Sequence, residues 1–240
     1  MSLTYSGGVK THEVEQSETS GEDSAQRSAD AKPAPERREG GGPAMNTVQP
    51  IRDEEALRRC FEIARAHDQE KRQGETNWEL LLAVGFSTSL RISDISRMRV
   101  RDIAGTERVQ VKAKKTGKVT NIYVNREARK RIERLLKGRE PNELVFASRQ
   151  KDPETGMPRA ITRQRAYQII NHIARMAGIQ DRIGCHTLRK TFGYRYYKET
   201  GDVVSLQRIL CHSSSRETLL YIGVIQEEID NSLRGFKTVW

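Results

Sequence analysis

The chain has 240 residues, enough for one large domain or two small ones, and its 42 basic against 32 acidic residues give a net charge of +10, a balance that favours a polyanionic partner. No apolar run approaches the ~20 residues needed to cross a bilayer, and no basic start leads into an apolar stretch, so the composition excludes a membrane-spanning chain and a secretory signal. The three cysteines, Cys60, Cys185 and Cys211, are too few and too irregularly spaced for a disulfide framework or a zinc site; they suit a reducing cytoplasm as small buried apolar residues.

Residues 1–44 contain no Phe, Trp or Ile, and they end in the run KPAPERREGGGPA. Such a segment cannot bury enough surface to offset its ordering entropy, so residues 1–48 are expected to form a disordered leader before a folded domain over 49–240. The first 44 residues hold five basic and eight acidic side chains, which leaves 37 basic against 24 acidic in the remainder. The positive charge therefore belongs to the folding part. Glu39-Gly40-Gly41 can be encoded by a purine-rich string resembling a ribosome-binding site, and Met45 follows at a suitable distance for a start codon; translation is accordingly expected to begin at Met45.

From Asp53 to about Arg72, Ala56, Leu57, Phe61, Ile63 and Ala64 recur at helical spacing, with Asp53, Glu54 and Glu55 placed to meet the positive helix end. Thr76 or Asn77 caps a second, more apolar helix through Phe86, and Ser89 or Arg91 leads into a short third one ending near Met98. Between Val109 and Val124 the period changes to two, in VQVKAKKTGKVTNIYV, and the Thr-Gly pair between β-branched runs reads as a β-hairpin. Helical patterns return at Arg126–Leu136, Thr162–Met176, Thr187–Lys198, Val203–Leu210 and after Ser215, while Gly138–Arg159 reads as loops around one short strand, Leu144–Phe146. The fold class is thus α+β, mainly helical, with a small antiparallel sheet.

Several side chains capable of chemistry stand on these elements: Arg91 at a helix start, Lys115 at the hairpin tip, His186 and Arg189 three apart, His212, and Tyr221. Taken singly, each has a plain structural role open to it. The two cations suit solvated positions, His186 a helix cap, and Tyr221 a core or boundary site in LLYIGV.

Together they resemble a family. The segments STSLRISDISRMRVRDI, KKTGK, CHTLRKTFGYRYYKETGD and LQRILCHSSSRETLLYI follow one another in the order and approximate spacing of the tyrosine recombinases, the phage integrase family, over most of residues 52–225. The resemblance implies the tyrosine recombinase catalytic-domain fold. It implies that Arg91 is the first catalytic arginine and Lys115 the hairpin lysine, with Lys114 and Lys118 as neighbouring alternatives. His186 and Arg189 match the His-x-x-Arg pair, His212 the following histidine, Tyr221 the nucleophile and Asp94 a supporting carboxylate.

The chemistry this set implies follows from charge. Attack on a DNA phosphodiester builds negative charge on the non-bridging oxygens, which Arg91 and Arg189 would clamp with forked hydrogen bonds and His212 with one more. A tyrosine hydroxyl, with a pKa near 10, needs a proton acceptor, for which His186 is the candidate, and Lys115 would protonate the leaving 5′-oxygen. The 3′-phosphotyrosyl bond conserves the phosphodiester energy, so no ATP is expected, and with two arginines and a lysine stabilising the phosphate neither a metal nor another cofactor is expected. The implied partners are double-stranded DNA, a homotetramer on DNA at synapsis and an accessory DNA-bending protein, in a cytoplasmic setting within a bacterial or phage-derived mobile element.

Two departures bear on this expectation. Cys211 stands where many relatives have glycine, at a turn, and, with only the expected leader ahead of the catalytic segment, the family's usual N-terminal core-binding domain is expected to be absent. An idle DNA-binding remnant of a recombinase, or a type IB topoisomerase, would share much of the pattern. After the tyrosine, Ile225, Ile229, Leu233 and Phe236 form a helical stripe ending at Trp240, suited to a neighbouring subunit or to its own domain.

Overall fold

A computed structural model describes residues 48–72, 74–112, 117, 119–224, 231 and 234. The expected leader over 1–48, Val48 apart, with Met45 inside it, the lysines Lys114, Lys115 and Lys118 of the hairpin tip, and the stripe Ile225, Ile229, Leu233, Phe236 and Trp240 lie outside the described residues.

Helix α1 (Glu54–Glu70) starts where Asp53 accepts from the backbone N–H groups of Glu55 and Ala56, and it buries Ala56, Cys60 and Ala64 along one face. Helix α2 (Trp78–Thr88) is capped by Asn77, whose Oδ1 accepts from Leu80 N–H at 2.6 Å. Its residues are apolar almost all round, so it is buried on every side, and α1, α4, α6 and the short α3 (Ile92–Ile95) pack around it. Glu79, 3% exposed within this helix, is tolerated because Arg65, Arg131 and Arg134 converge on its Oε1 at 3.4–3.8 Å.

A 3₁₀ turn at Val100–Asp102 leads to strands β1 (Arg108–Lys112) and β2 (Val119–Tyr123). They pair antiparallel with Val109 opposite Ile122, both buried, while the alternate residues Arg108, Gln110 and Tyr123 face outward. Helix α4 (Arg126–Leu136) follows directly. The region after it differs from the sequence expectation. Leu144 makes only an isolated bridge to Arg99, and a second hairpin forms from β3 (Ala147–Lys151) and β4 (Pro158–Ala160). Its strands are polar and exposed, so they carry no alternating apolar signal; the turn is set by Asp152, whose Oδ1 accepts from Glu154 and Thr155 N–H while its own N–H donates to Met157 O.

Helices α5 (Arg163–Met176), α6 (Thr187–Thr200), α7 (Val203–Leu210) and α8 (Ser215–Ile222) complete the described chain. Helix α6 packs its first half on α2, where Gly85 permits contact so close that an added Cβ would lie 2.4 Å from Leu188 Cδ1. Its second half turns to α7 and α8, where Leu206, Leu210, Ile222 and Val224 form a separate small core. Gly193 makes that approach possible, since a Cβ there would sit 2.7 Å from Ile222 Cγ2. The segment 48–52 lies across these helices: Ile51 N–H donates to Thr191 Oγ1 at 2.9 Å, Thr187 Oγ1 donates to Gln49 O at 2.9 Å, and Arg52 donates to Gly223 O at the end of α8.

The cysteines only partly match their expected role. Cys60 is buried, and burial pushes its thiol up to about 11. Cys185 is half-buried and Cys211 is exposed, because each sits in a turn beside a helix end rather than on an inward face.

Candidate active site

Helix α8 carries the tyrosine. Its first turn is laced by Glu217, whose Oε2 accepts from Ser213 N–H and Oγ–H at 2.8 and 2.7 Å while Glu217 N–H donates to Ser214 Oγ. One turn later Tyr221 lies half-buried before the Gly223 cap. Burial raises the pKa of its hydroxyl, and Arg189 and Arg91 oppose that rise with their charges. The free phenol is therefore protonated at neutral pH and needs a base.

His186 is the titratable side chain placed beside it. It occupies the N-cap of α6 without making a side-chain cap bond, and its Nδ1 lies 3.4 Å from the Tyr221 hydroxyl. A simple capping role is thereby excluded. Burial lowers the His186 pKa, and the charges of Arg163, Arg189, Arg91 and Lys190 lower it further, so the imidazole is neutral at pH 7 and able to accept a proton.

Arg189 lies one turn farther along α6 and is 5% exposed. Its guanidinium donates to Ser89 O and, at 2.6 Å, to Leu210 O. Both carbonyls belong to helix C-termini, where the last C=O groups lack intrahelical partners and the dipole is negative. The helices α2 and α7 end there on Ser89 and Cys211, which have φ of 55° and 52° and are the two non-glycine residues of positive φ among the described residues. The glycine-type turn expected at Cys211 is thus real, and the thiol causes no crowding because it is exposed.

His212 follows Cys211, its N–H donating to Gln207 O at 3.0 Å in the turn that closes α7. Its ring meets Tyr221 edge-on at 4.9 Å between centroids, and its Nδ1 lies 3.2 Å from Thr218 Oγ1. Burial lowers its pKa, Glu217 opposes, and Arg189 and Arg91 lower it again. Arg91 sits at the N-cap of α3, half-exposed, with its charge felt at His186, Arg189, His212 and Tyr221. Asp94, on the same short helix, is buried with Arg97 3.5 Å from its carboxylate.

Five of the six expected catalytic positions are therefore gathered around one hydroxyl, and the sixth, Lys115, lies outside the described residues. The sequence reading missed three neighbours. Lys190 is 5% exposed with its Nζ 5.2 Å from the centre of the Tyr221 ring. Arg163, at the start of α5, lines a groove of about 480 Å³ with Gln164, Tyr167, Cys185 and His186. Thr218 is fully buried and stands three residues before Tyr221, a helical spacing that was the available signal for it. Among the described residues no cluster of His, Cys, Asp and Glu is arranged to hold a metal ion, and no helix is long and apolar enough to cross a membrane.

A model of the phage integrase family matches residues 55–228. The chain belongs to that family. It is 35% identical over 183 residues to a probable integrase/recombinase, YoeC, of Bacillus subtilis, which covers 76% of this chain and 93% of that protein. It is 26% identical to the tyrosine recombinase XerD of Pseudomonas putida over 74% of this chain and 57% of XerD, so it spans little more than half of that relative. The crystal structure of XerA recombinase superposes with a TM-score of 0.62 at 19% identity, covering 83% of this chain and 67% of XerA. The α+β architecture, mainly helical with small antiparallel sheets, is the catalytic-domain fold of tyrosine recombinases.

Proposed function

We propose that this member of the phage integrase family is a tyrosine-type site-specific recombinase that cuts and rejoins double-stranded DNA through Tyr221. The observation that carries the reading is the Tyr221 hydroxyl held 3.4 Å from His186 Nδ1 beside Arg189, whose position is set by two backbone carbonyls. A 3.4 Å separation is long for an O–H···N bond and is of the kind that tightens when substrate binds.

In the step this arrangement supports, the Tyr221 oxygen attacks a phosphorus atom of the DNA backbone as its proton passes to His186. The new O–P bond forms as the bond to the 5′-oxygen breaks. Charge on the non-bridging oxygens is met by Arg91 and by Arg189, whose orientation, pre-set by the Ser89 and Leu210 carbonyls, costs no reorganisation at the moment of reaction. His212 provides a further contact to the same phosphate, and the 5′-oxygen takes a proton from the hairpin lysine Lys115. Reversal of these steps with the 5′-hydroxyl of another strand rejoins DNA without an external energy source. Strand exchange between two duplexes needs four active sites, so the working form is a homotetramer on DNA, aided by a DNA-bending protein. The groove beside His186, lined by Arg163, Gln164 and Tyr167, offers a cationic path for the backbone next to the scissile phosphate.

The test uses nicked suicide substrates tiled from DNA flanking the native gene, run on denaturing gels with wild type and Tyr221→Phe. A slow-migrating covalent species formed by wild type and absent from the variant is expected. DNA that is shifted but never trapped overturns the reading in favour of an idle DNA-binding protein, and trapping without site preference indicates a topoisomerase.

A further inference from the structure

The His212 side chain is held by a residue with no expected part in the chemistry. Thr218 is 0% exposed, and its Oγ1 lies 3.0 Å from Ser214 O, the carbonyl four residues back, and 3.2 Å from His212 Nδ1. A threonine hydroxyl has one proton and two lone pairs. Ser214 O has no proton to give, so the Thr218 hydroxyl donates to it, in the back-bonded geometry common for helical threonines. The lone pairs of Oγ1 are left for His212, and Nδ1 must be the donor. A neutral His212 so held carries its proton on Nδ1 and leaves Nε2 bare, on a ring that meets Tyr221 edge-on at 4.9 Å and feels the charges of Arg189 and Arg91.

We propose that Thr218 is a positioning residue that sets the tautomer of His212, so that His212 donates to the scissile phosphate only after taking up a proton. This rests on the recombinase reading of the site. Phosphate binding then becomes coupled to proton uptake at Nε2: the free site holds a neutral ring among cations, and arrival of the phosphate's negative charge favours the imidazolium that can hydrogen-bond to it. The charged and titratable groups facing the ring are Arg189 from α6, Arg91 from the start of α3, and Glu217 and Tyr221 from α8. Arg189 and Arg91 disfavour the imidazolium in the free protein and Glu217 favours it. The monoanionic phosphodiester against the two arginines offsets the unfavourable part of that balance.

The experiment has two arms. In the first, the full chain with ¹⁵N-labelled histidine is studied by long-range ¹H–¹⁵N NMR near neutral pH, with the His212 signals among the five histidines identified by their loss in His212→Gln. Wild type and Thr218→Ser should show protonated Nδ1 and bare Nε2, while Thr218→Val, which keeps the volume but offers no acceptor, should shift the population to Nε2–H. A wild-type ring protonated on Nε2, or an Nδ1–H pattern that persists in Thr218→Val, overturns the proposal without reference to DNA. In the second arm, covalent-complex formation is followed against pH. Wild type and Thr218→Ser should give a bell, rising as His186 loses its proton and falling about tenfold per pH unit once His212 in the complex loses its own. Thr218→Val, able to donate from a neutral Nε2–H, should keep the rising limb and lose the falling one; identical profiles for wild type and Thr218→Val refute the coupling. Absence of any trapped DNA with wild type counts against the recombinase reading alone, and the tautomer is still decided by the first arm.

Discussion

Gly193 is where backbone packing and chemistry meet, and Gly193→Ala perturbs both. A Cβ at this position would lie 2.7 Å from Ile222 Cγ2, with Leu210 Cδ1 and Leu206 Cδ1 at 3.5 and 3.7 Å. Ordinary contact begins near 3.4 Å, so α6 and α8 must separate by about 0.7 Å or Ile222 must leave its rotamer. Overpacking of this kind costs about 1–3 kcal/mol, and the better helix propensity of alanine returns about 1 kcal/mol. The expected net loss is about 1 kcal/mol, read as a lower urea midpoint with an unchanged slope. Activity should suffer more than stability. Ile222 adjoins Tyr221 on α8, while His186 and Arg189 ride on α6, so the same separation misplaces the proposed nucleophile relative to its proposed base and phosphate clamp. A displacement approaching 1 Å at reacting atoms costs about 10²-fold, and covalent trapping by Gly193→Ala should slow by about 10–100-fold. Replacing Ile222 by Leu removes the clashing Cγ2, so the double variant Gly193→Ala/Ile222→Leu should recover stability relative to the sum of the two single changes. An alanine variant that gains about 1 kcal/mol and traps DNA at the wild-type rate would refute the close-approach argument.

Other consequences follow from the helix ends that hold Arg189. Cys211→Gly should stabilise the protein by about 1 kcal/mol in urea titrations, because the residue is exposed with φ 52° and glycine removes the left-handed penalty. Ser89→Gly should gain at least as much, since Ser89 has φ 55° and its buried Oγ has no hydrogen-bond partner among the described residues. Arg189→Lys keeps the charge but cannot reach both Ser89 O and Leu210 O, and it should lose about 2 kcal/mol of stability together with nearly all covalent trapping. The two histidines give stability a pH dependence: their folded pKa values are lowered, so the unfolded chain binds more protons below about pH 6.5. Stability present at pH 7 should therefore fall as the pH drops through that value toward the folded pKa values, and His186→Asn/His212→Asn should flatten the fall in urea midpoint between pH 7 and pH 5.

Periodicity, caps and spacing carried most of the architecture. Asp53, Asn77, Asn125, Thr162 and Asp202 mark helix starts by the chemistry of their own side chains, and apolar spacing carries the helices onward from them. The β1–β2 hairpin was legible because Val109 and Ile122 alternate with polar residues, whereas the β3–β4 hairpin was not, because its exposed polar strands have no buried face to write a pattern. Residue types in order, Arg91, Lys115, His186, Arg189, His212 and Tyr221, pointed to phosphoryl transfer to tyrosine through the family they resemble. Their mutual placement is a different kind of fact. That His186 faces the Tyr221 hydroxyl instead of capping α6, that Lys190 is buried against the tyrosine ring, and that the carbonyls of Ser89 and Leu210 orient Arg189 all depend on contacts between residues 21–100 positions apart. Local sequence encodes a residue's propensity and chemistry; which unpaired helix carbonyl meets which guanidinium is decided only when α2, α6, α7 and α8 pack together, because those contacts are satisfied by backbone groups that every residue possesses.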